Sequence, residues 1–178
     1  YDGFRFTTIA EVAPDLYERT LTINGCSKAY SMTGWRIGFA GGAPWLIKAM
    51  AKLQSQSTSN PCAIAQAAAT AALTGPQDFL AERAAAFQKR RDLVVGMLGA
   101  IDGVTCPVPE GAFYVYPDVA GLIGKSTPGG KRIDNDSALI DYFLDDARVA
   151  RVPGLGFGVE PAFRVTYATP QRVLTGAW

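Results

Sequence analysis

The first half of the chain combines short apolar segments with longer stretches of helical periodicity. Residues 20–24 (TLTIN) and 35–40 (WRIGFA) are short, apolar and bounded by polar residues or glycine, a pattern that predicts two strands of a buried sheet. From Pro44 onward, apolar residues recur every three to four positions, which predicts a helix. A second, alanine-rich helix is expected between residues 60 and 73.

The second half begins with a long helix, residues 77–101, and then changes to shorter elements. These are predicted at residues 104–108 (strand), 112–116 (strand), 121–130 (glycine-rich loop), 135–147 (helix), 147–152 (strand) and 163–167 (strand). The mixture of helices and strands indicates an α/β protein. Because a long helix can end one domain and lead into the next, we place a boundary near its end, which gives domains of residues 1–100 and 101–178.

Composition and charge exclude several classes of protein. The 178 residues are 48% hydrophobic and 19% charged, which is typical of a globular chain. The formal net charge is +1 without long runs of like charge, so a nucleic-acid or anionic-lipid surface is not expected. Neither a signal peptide nor a stretch of about eighteen apolar residues is evident, so no membrane span is expected.

Histidine is absent, and the three cysteines Cys26, Cys62 and Cys106 are far apart in the sequence. These facts remove the usual zinc-binding spacings and any nucleophile that depends on histidine. We therefore expect no metal site. Three buried free thiols in a reducing cytoplasm are the simplest interpretation.

Two glycine-rich stretches resemble phosphate-binding motifs but fail on spacing. Gly124-Lys125-Ser126 could end a P-loop, yet the required first glycine would fall at Val119. Gly154-Leu155-Gly156 could start a dinucleotide fingerprint, yet its third glycine position is Val159. We interpret both as turns.

The segment 24–42 (NGCSKAYSMTGWRIGFAGG) places Lys28 on a loop between the two predicted strands, eight residues before Arg36. A lysine on a loop is more often a solvated surface charge. Its neighbours here include Cys26, Met32 and Trp35, a setting expected to be apolar enough to favour a neutral, nucleophilic amine. The nearby arginine could bind a phosphate through its planar set of donors.

The lysine segment resembles a known family signature. Residues 27–38 (SKAYSMTGWRIG) are similar to the cofactor-lysine signature of fold-type I, class I aminotransferases, in the form found in the bacterial aspartate aminotransferase subgroup. Further similar motifs follow in order at residues 54–59 (QSQSTS), 109–114 (PEGAFY), 152–154 (VPG), 156–158 (GFG) and 163–168 (FRVTYA). The resemblance therefore covers almost the whole chain.

The resemblance implies a cofactor, pyridoxal 5'-phosphate, and roles for four residues. Lys28 would carry the cofactor as a Schiff base and then move the proton at the substrate α-carbon. Arg36 would pair with the cofactor phosphate, and Ser27 is a further cofactor-binding candidate. Arg164 would bind the substrate α-carboxylate by a two-pronged contact.

It also implies a fold and a reaction. The chain would be the second half of a large domain with a mostly parallel sheet, followed by a smaller α+β domain. The reaction would be transfer of an amino group, with aspartate and 2-oxoglutarate as expected substrates, in a homodimeric cytoplasmic enzyme. Two positions depart from the family pattern: Gly25 stands where many relatives have a hydroxyl residue, and Gly154-Leu155-Gly156 stands where Pro-Gly-Ser is common.

The resemblance further implies a partial chain. In the family, an Asp, a Tyr and an Asn that contact the cofactor precede the lysine segment, and the Asp and Tyr would lie just before Tyr1. An isolated chain without them is expected to be inactive. Two alternatives stay open: a pyridoxal-phosphate-dependent lyase or decarboxylase of the same fold, and a non-catalytic regulator built on an aminotransferase-like domain.

Overall fold

The computed structural model describes residues 1–176 and contains both helices and strands, which confirms the α/β class. The chain forms two compact units. One is Phe4–Ala81, and the other combines Tyr1–Gly3 with the chain from Glu82 onward. The assignment of residues 1–100 and 101–178 to two domains of a full-length protein stays a prediction.

The unit Phe4–Ala81 contains one pair of strands and three complete α-helices. Its elements are α1 (Ile9–Val12), a 3₁₀ helix (Pro14–Arg19), β1 (Leu21–Gly25), a 3₁₀ turn (Thr33–Trp35), β2 (Gly38–Gly42), α2 (Pro44–Ser55) and α3 (Ala63–Thr74). Strands β1 and β2 pair in antiparallel fashion, from Leu21 opposite Gly42 to Gly25 opposite Gly38. The two ends of the connection between them are therefore held side by side.

The predicted strands and helices of this unit are confirmed with shifted ends. Strand β2 starts at Gly38 rather than at residue 35, because residues 33–35 form the 3₁₀ turn and Arg36 is left-handed. Ile23 and Phe39 are 73% and 44% exposed. Because Ile23 pairs with Ala40 and Phe39 pairs with Asn24, the two side chains point to opposite faces, and neither face of the strand pair is fully buried by the described residues. The strand pairings that the structure describes are all antiparallel, and the parallel part of the expected sheet stays a prediction.

The other unit contains the continuation of a long helix, three short strands and two further helices. Its elements are α4 (Phe79–Gly99, which begins in the first unit), β3 (Tyr114–Val115), a 3₁₀ turn (Ala120–Leu122), α5 (Asp136–Asp145), β4 (Val152–Pro153), a 3₁₀ turn (Gly154–Phe157), β5 (Phe163–Thr166) and α6 (Gln171–Thr175). The sheet order is β3-β5-β4, with antiparallel neighbours. Neither α4 nor any other helix within residues 1–176 has the length and apolar character to cross a membrane.

The core of this unit lies between its sheet and the helices α4 and α5. Strand β5 supplies Phe163 and Val165 to it, because successive side chains of a strand point to opposite faces. Helix α4 supplies Val94 and Leu98, which are fully buried. Burying one such side chain stabilises the fold by roughly 1.5–3 kcal/mol. The opposite face of β5 presents Arg164 and is therefore available for chemistry.

A buried arginine ties the first residues of the chain to this unit. Arg91 in α4 is 3% exposed and forms ion pairs with Asp2 and Asp92. Its guanidinium also donates to the backbone carbonyl of Pro109 at 3.0 Å. The hydrogen bond from Arg91 holds the pKa of Asp2 below its ordinary value. The pair explains why Tyr1–Gly3 belongs to this unit rather than to the residues that follow.

Two predicted strands are largely wrong. The segment 104–108 forms only a single bridge, Thr105 opposite Asp118, and it contains Pro107, which has no backbone N–H to donate to a neighbouring strand. In the segment 147–152 only Val152 belongs to a strand. The N–H groups of Ala147 and Val149 instead donate to the carbonyl of Phe143 in α5, so they extend the helix end.

Helix α5 starts where the sequence predicts, at a side-chain cap that offers a test of the local fold. The Oδ1 atom of Asn135 accepts from the N–H of Ala138 at 2.8 Å. Changing Asn135→Ala should reduce the free energy of unfolding by about 1 kcal/mol, because that N–H loses its partner. Asn135→Asp should retain most of the stability. Denaturant unfolding of both variants measures the effect, and equal stability of the alanine variant would contradict the cap assignment.

Candidate active site

The candidate site residues Lys28 and Arg36 lie on one connection, residues 26–37, which joins β1 to β2. Its two ends meet where Gly25 faces Gly38. Lys28 lies in a turn closed by two backbone hydrogen bonds: the N–H of Ser31 donates to the Lys28 carbonyl at 3.2 Å, and that of Met32 donates to Ser27 at 3.1 Å. The backbone that carries Lys28 is thus defined locally.

The connection is anchored to helix α3 by a small apolar cluster. Its members are Cys26, Met32, Ile37, Ala65 and Ala69, all 9% exposed or less. The alanine side chains of α3 are small enough for the connection to approach the helix closely. Every change of volume at such a contact is felt by its neighbours, because protein interiors are densely packed. The cluster therefore fixes where the connection lies on the unit.

Tyr30 adds a polar anchor beside this cluster. Its hydroxyl donates to Oε1 of Gln77 at 2.9 Å, and its ring meets Phe79 edge to face at 6.1 Å. The Gln77 amide in turn donates to the carbonyls of Ala72 and Gly75 at the end of α3. Tyr30 therefore links the turn of Lys28 to the C-terminal end of α3.

Lys28 itself is exposed, and Ser27 next to it is half-buried. The apolar surroundings expected for Lys28 are not found within residues 1–176, because its apolar neighbours Cys26 and Met32 turn into the cluster with α3. The backbone conformation thus places Cys26 and Met32 on a buried apolar side and leaves the residue Lys28 exposed.

Arg36 occupies a backbone conformation that is unusual for its residue type. Its φ and ψ angles are both 49°, in the left-handed region. A non-glycine residue there costs on the order of 1–3 kcal/mol, a strain that often marks a functional position. One guanidinium nitrogen, Nη1, donates to the carbonyl of Thr33 at 2.9 Å. No carboxylate forms an ion pair with Arg36 in the described part of the chain, so most of its donors are available to an anion.

Arg164 lies in the other unit, on the accessible face of the central strand β5. Its guanidinium carbon is 4.7 Å from the centre of the Tyr114 ring and 4.9 Å from that of Phe157. Val152 on the neighbouring strand β4 lies directly opposite Arg164. A cavity of about 200 Å³ opens there and is also lined by Arg151 and Thr166. This small, positively charged cavity suits a carboxylate.

The turn that carries Phe157 is held by a buried carboxylate. Asp136 is 1% exposed, and its Oδ2 accepts from the N–H of Leu155 at 3.2 Å. Gly154 begins the turn, and a Cβ there would lie 1.9 Å from the carbonyl oxygen of Val159, so no larger residue fits. Both contacts constrain the position from which Phe157 reaches Arg164.

Tyr116 supports the ring of Phe157 from the side. The two rings meet edge to face, 5.9 Å apart. The Tyr116 hydroxyl is buried and makes no hydrogen bond to any of the described residues. Burial raises the pKa of this hydroxyl, and the carboxylate of Asp136 raises it further. Tyr116 is therefore a neutral phenol whose ring packs beside the candidate anion site.

The sequence alone did not identify Tyr114, Phe157 or Asp136 as neighbours of the site. Alternation along β5 places Arg164 and Thr166 on one face, and this alternation can be inferred from the sequence. The pairing of Tyr114 with Thr166 cannot be inferred in this way, because β3 and β4 are two residues long and give no periodic pattern. The contact of Phe157 depends on a turn fixed by the distant residue Asp136.

The two rejected phosphate motifs are turns, as predicted. Gly124 has a φ of +85° in a loop closed by a bridge between Ser126 and Arg132. Gly154-Leu155-Gly156 forms most of a 3₁₀ turn. Within residues 1–176, no cluster of three or more acidic or cysteine side chains could hold a metal ion.

The chain is similar to one family of known proteins. The family described as aminotransferase class I and II matches residues 1–176. The aspartate aminotransferase of Rhizobium meliloti (strain 1021) is 61% identical over 99% of this chain. The aspartate/prephenate aminotransferase of Cereibacter sphaeroides is 59% identical over the same share. The chain spans 43% and 44% of the length of these two relatives.

A solved structure agrees with the fold. The crystal structure of the aspartate aminotransferase from Rhizobium meliloti superimposes with a TM-score of 0.97 and 60% sequence identity. The match covers 99% of this chain and 44% of that one.

The packing of the connection 26–37 against α3 can be tested by overfilling the cluster between them. Changing Ala69→Leu should overfill the cluster with Cys26, Met32 and Ile37 and reduce the free energy of unfolding by roughly 1–3 kcal/mol. Ala67→Leu, at an exposed position of the same helix, is the matched control and should change stability by less than about 0.5 kcal/mol. Thermal unfolding compares the two, and equal effects would show that the cluster does not constrain the connection.

Proposed function

The chain belongs to the aminotransferase class I and II family, and we propose that the full-length protein is a pyridoxal-phosphate-dependent transaminase. The observation that carries the proposal is the connection 26–37, which presents an exposed lysine residue and a conformationally constrained arginine between two paired strands. Relatives at 61% and 59% identity are named for aspartate transamination, which supports the same reaction class.

The residues of the connection have the chemistry that this cofactor requires. A primary amine is the group that can hold an aldehyde covalently, and Lys28 supplies one. A phosphate requires charge-assisted donors, and Arg36 has donors not engaged by a carboxylate within residues 1–176. Ser27, adjacent to Lys28, is proposed as an additional hydroxyl donor. These residues are the proposed cofactor-binding set of this chain.

The proposed mechanism divides the work between three residues. Bound pyridoxal phosphate supplies a ring that withdraws electrons from the substrate α-carbon. Lys28 would act as general base and acid: its amine would take the proton from the substrate α-carbon and deliver it to C4′ of the cofactor, and its tether would make this transfer intramolecular. Arg36 holds the phosphate in place. Arg164 binds the substrate α-carboxylate and fixes which α-carbon bond is broken.

The proposed substrates are an amino acid and a 2-oxo acid, with aspartate and 2-oxoglutarate as the first pair to test. The name of the Cereibacter sphaeroides relative adds prephenate as a second candidate amino acceptor. A homodimer is the proposed assembly of the full-length protein. A reducing cytoplasm is the proposed location, and the three cysteines are free in the structure. The expectation that all three are buried is wrong: Cys26 is buried, whereas Cys62 is exposed and Cys106 is partly buried.

Chemical trapping tests the role of Lys28. Borohydride reduction of the full-length protein loaded with pyridoxal phosphate should fix the cofactor on the peptide that contains Lys28, because reduction makes the amine linkage irreversible. Peptide mass spectrometry reads the position. The matched control is Lys28→Arg, which should lose the label while retaining its fold. Recovery of the label on Lys48 or Lys52 would overturn the assignment. Undiminished labelling of the Lys28→Arg variant would overturn it as well.

Kinetics test the role of Arg164. Arg164→Ala should raise the KM for the amino acid substrate and lower kcat/KM by about 30-fold or more, since loss of a charged hydrogen-bonding partner costs roughly 2–5 kcal/mol. Cofactor absorbance should be retained. Arg132→Ala, at an exposed arginine on another loop, is the matched control and should leave the kinetics unchanged. Unchanged kinetics in Arg164→Ala would rule out the carboxylate role.

A further inference from the structure

We propose that Tyr114 and Phe157 form an aromatic clamp that sets the plane of the Arg164 guanidinium and thereby determines its affinity for the substrate carboxylate. This inference rests on the proposed substrate role of Arg164. It assigns positioning roles to two residues that come from different elements of the sheet and its adjoining turn.

The geometry places the guanidinium against two rings. Its central carbon is 4.7 Å from the Tyr114 ring centre and 4.9 Å from the Phe157 ring centre. Both distances lie within the range of a cation–π contact, which extends to about 6 Å. Each ring attracts the cation, and together they restrict the rotations of a long side chain that would otherwise be free to sample several rotamers.

Such contacts leave the carboxylate-binding donors of Arg164 available. The five N–H groups of a guanidinium lie in its plane, whereas a ring attracts the cation through its π face and accepts no N–H hydrogen bond in that plane. In the described part of the chain, no carboxylate forms an ion pair with Arg164. The nearby buried carboxylate of Asp136 instead accepts from the backbone N–H of Leu155. Aromatic contacts thus orient the arginine without competing with its ligand.

The Phe157 side of the clamp is itself held in position. Its ring packs against Tyr116, and its turn starts at Gly154, where the backbone approaches the carbonyl of Val159 too closely for any side chain. The position of Tyr114 is fixed by strand pairing. Tyr114 in β3 lies opposite Thr166, and Thr166 is on β5, the strand that carries Arg164. The two rings are therefore set by independent parts of the fold, which allows each to be tested separately.

The test uses the full-length protein loaded with pyridoxal phosphate, with aspartate and 2-oxoglutarate as substrates. Phe157→Leu and Tyr114→Ile each remove a ring and keep an apolar side chain. Each should raise the KM for aspartate roughly 3- to 30-fold, the range expected for one cation–π contact, with kcat changed by less than about twofold. The conservative variants Phe157→Tyr and Tyr114→Phe keep a ring and should restore a KM close to that of the parent protein.

A matched control breaks a cation–π contact at a different arginine of the same unit and leaves the ring in place. Arg90 lies 5.2 Å from the centre of the Phe87 ring, and Arg90→Leu should leave the KM for aspartate unchanged. The two clamp residues lie in different elements. If the variant of one residue fails to fold or loses its cofactor, the variant of the other residue still tests the clamp. Unchanged KM in the ring variants, with an increased KM in Arg164→Ala, overturns the clamp alone. Unchanged KM in Arg164→Ala as well overturns the proposed carboxylate site itself.

Discussion

The antiparallel pairing of β1 with β2 is the constraint on which the candidate cofactor site depends. It brings Gly25 and Gly38 together and so closes the connection that carries Lys28 and Arg36. Pairing alone would leave a closed but mobile loop. Burial of Cys26, Met32 and Ile37 against the alanines of α3 removes that freedom. The exposed position of Lys28 fits this arrangement, since Cys26, Met32 and Ile37 turn toward the helix while Trp35 stays 45% exposed.

The parts of the fold that could be predicted from the sequence are those with long or distinctive local patterns. Helical periodicity located α2, α3 and α4, and the β-branched segment 20–24 located β1. The helix predicted over residues 135–147 begins close to the expected residue, and the structure shows that Asn135 caps it. The lysine signature identified the connection itself, because its residues are consecutive and need no knowledge of tertiary structure.

The remaining features were set by contacts between distant residues. Strands of two residues, such as β3 and β4, carry too few positions for a period-two pattern to be visible. The segment after α5 has the composition of a strand, yet its N–H groups donate to Phe143 at the end of that helix. The position of Phe157 is fixed by Asp136, whose role cannot be inferred from its neighbours in the sequence. The surroundings of Arg164 could therefore be described only once the fold was known.

The two candidate anion-binding arginines are fixed by different physical means, and the difference fits the ligands proposed for them. Arg36 is constrained through its backbone, in a left-handed conformation, and through a hydrogen bond to Thr33. Such a constraint suits a phosphate that stays bound through many turnovers. Arg164 contacts two aromatic rings and forms no ion pair with a carboxylate of the described residues. A substrate carboxylate must arrive and leave in every cycle, and a guanidinium that is oriented before it binds need not be reorganised each time. Orientation by aromatic contact therefore lowers the entropic cost of binding without requiring a permanent partner that the substrate would have to displace.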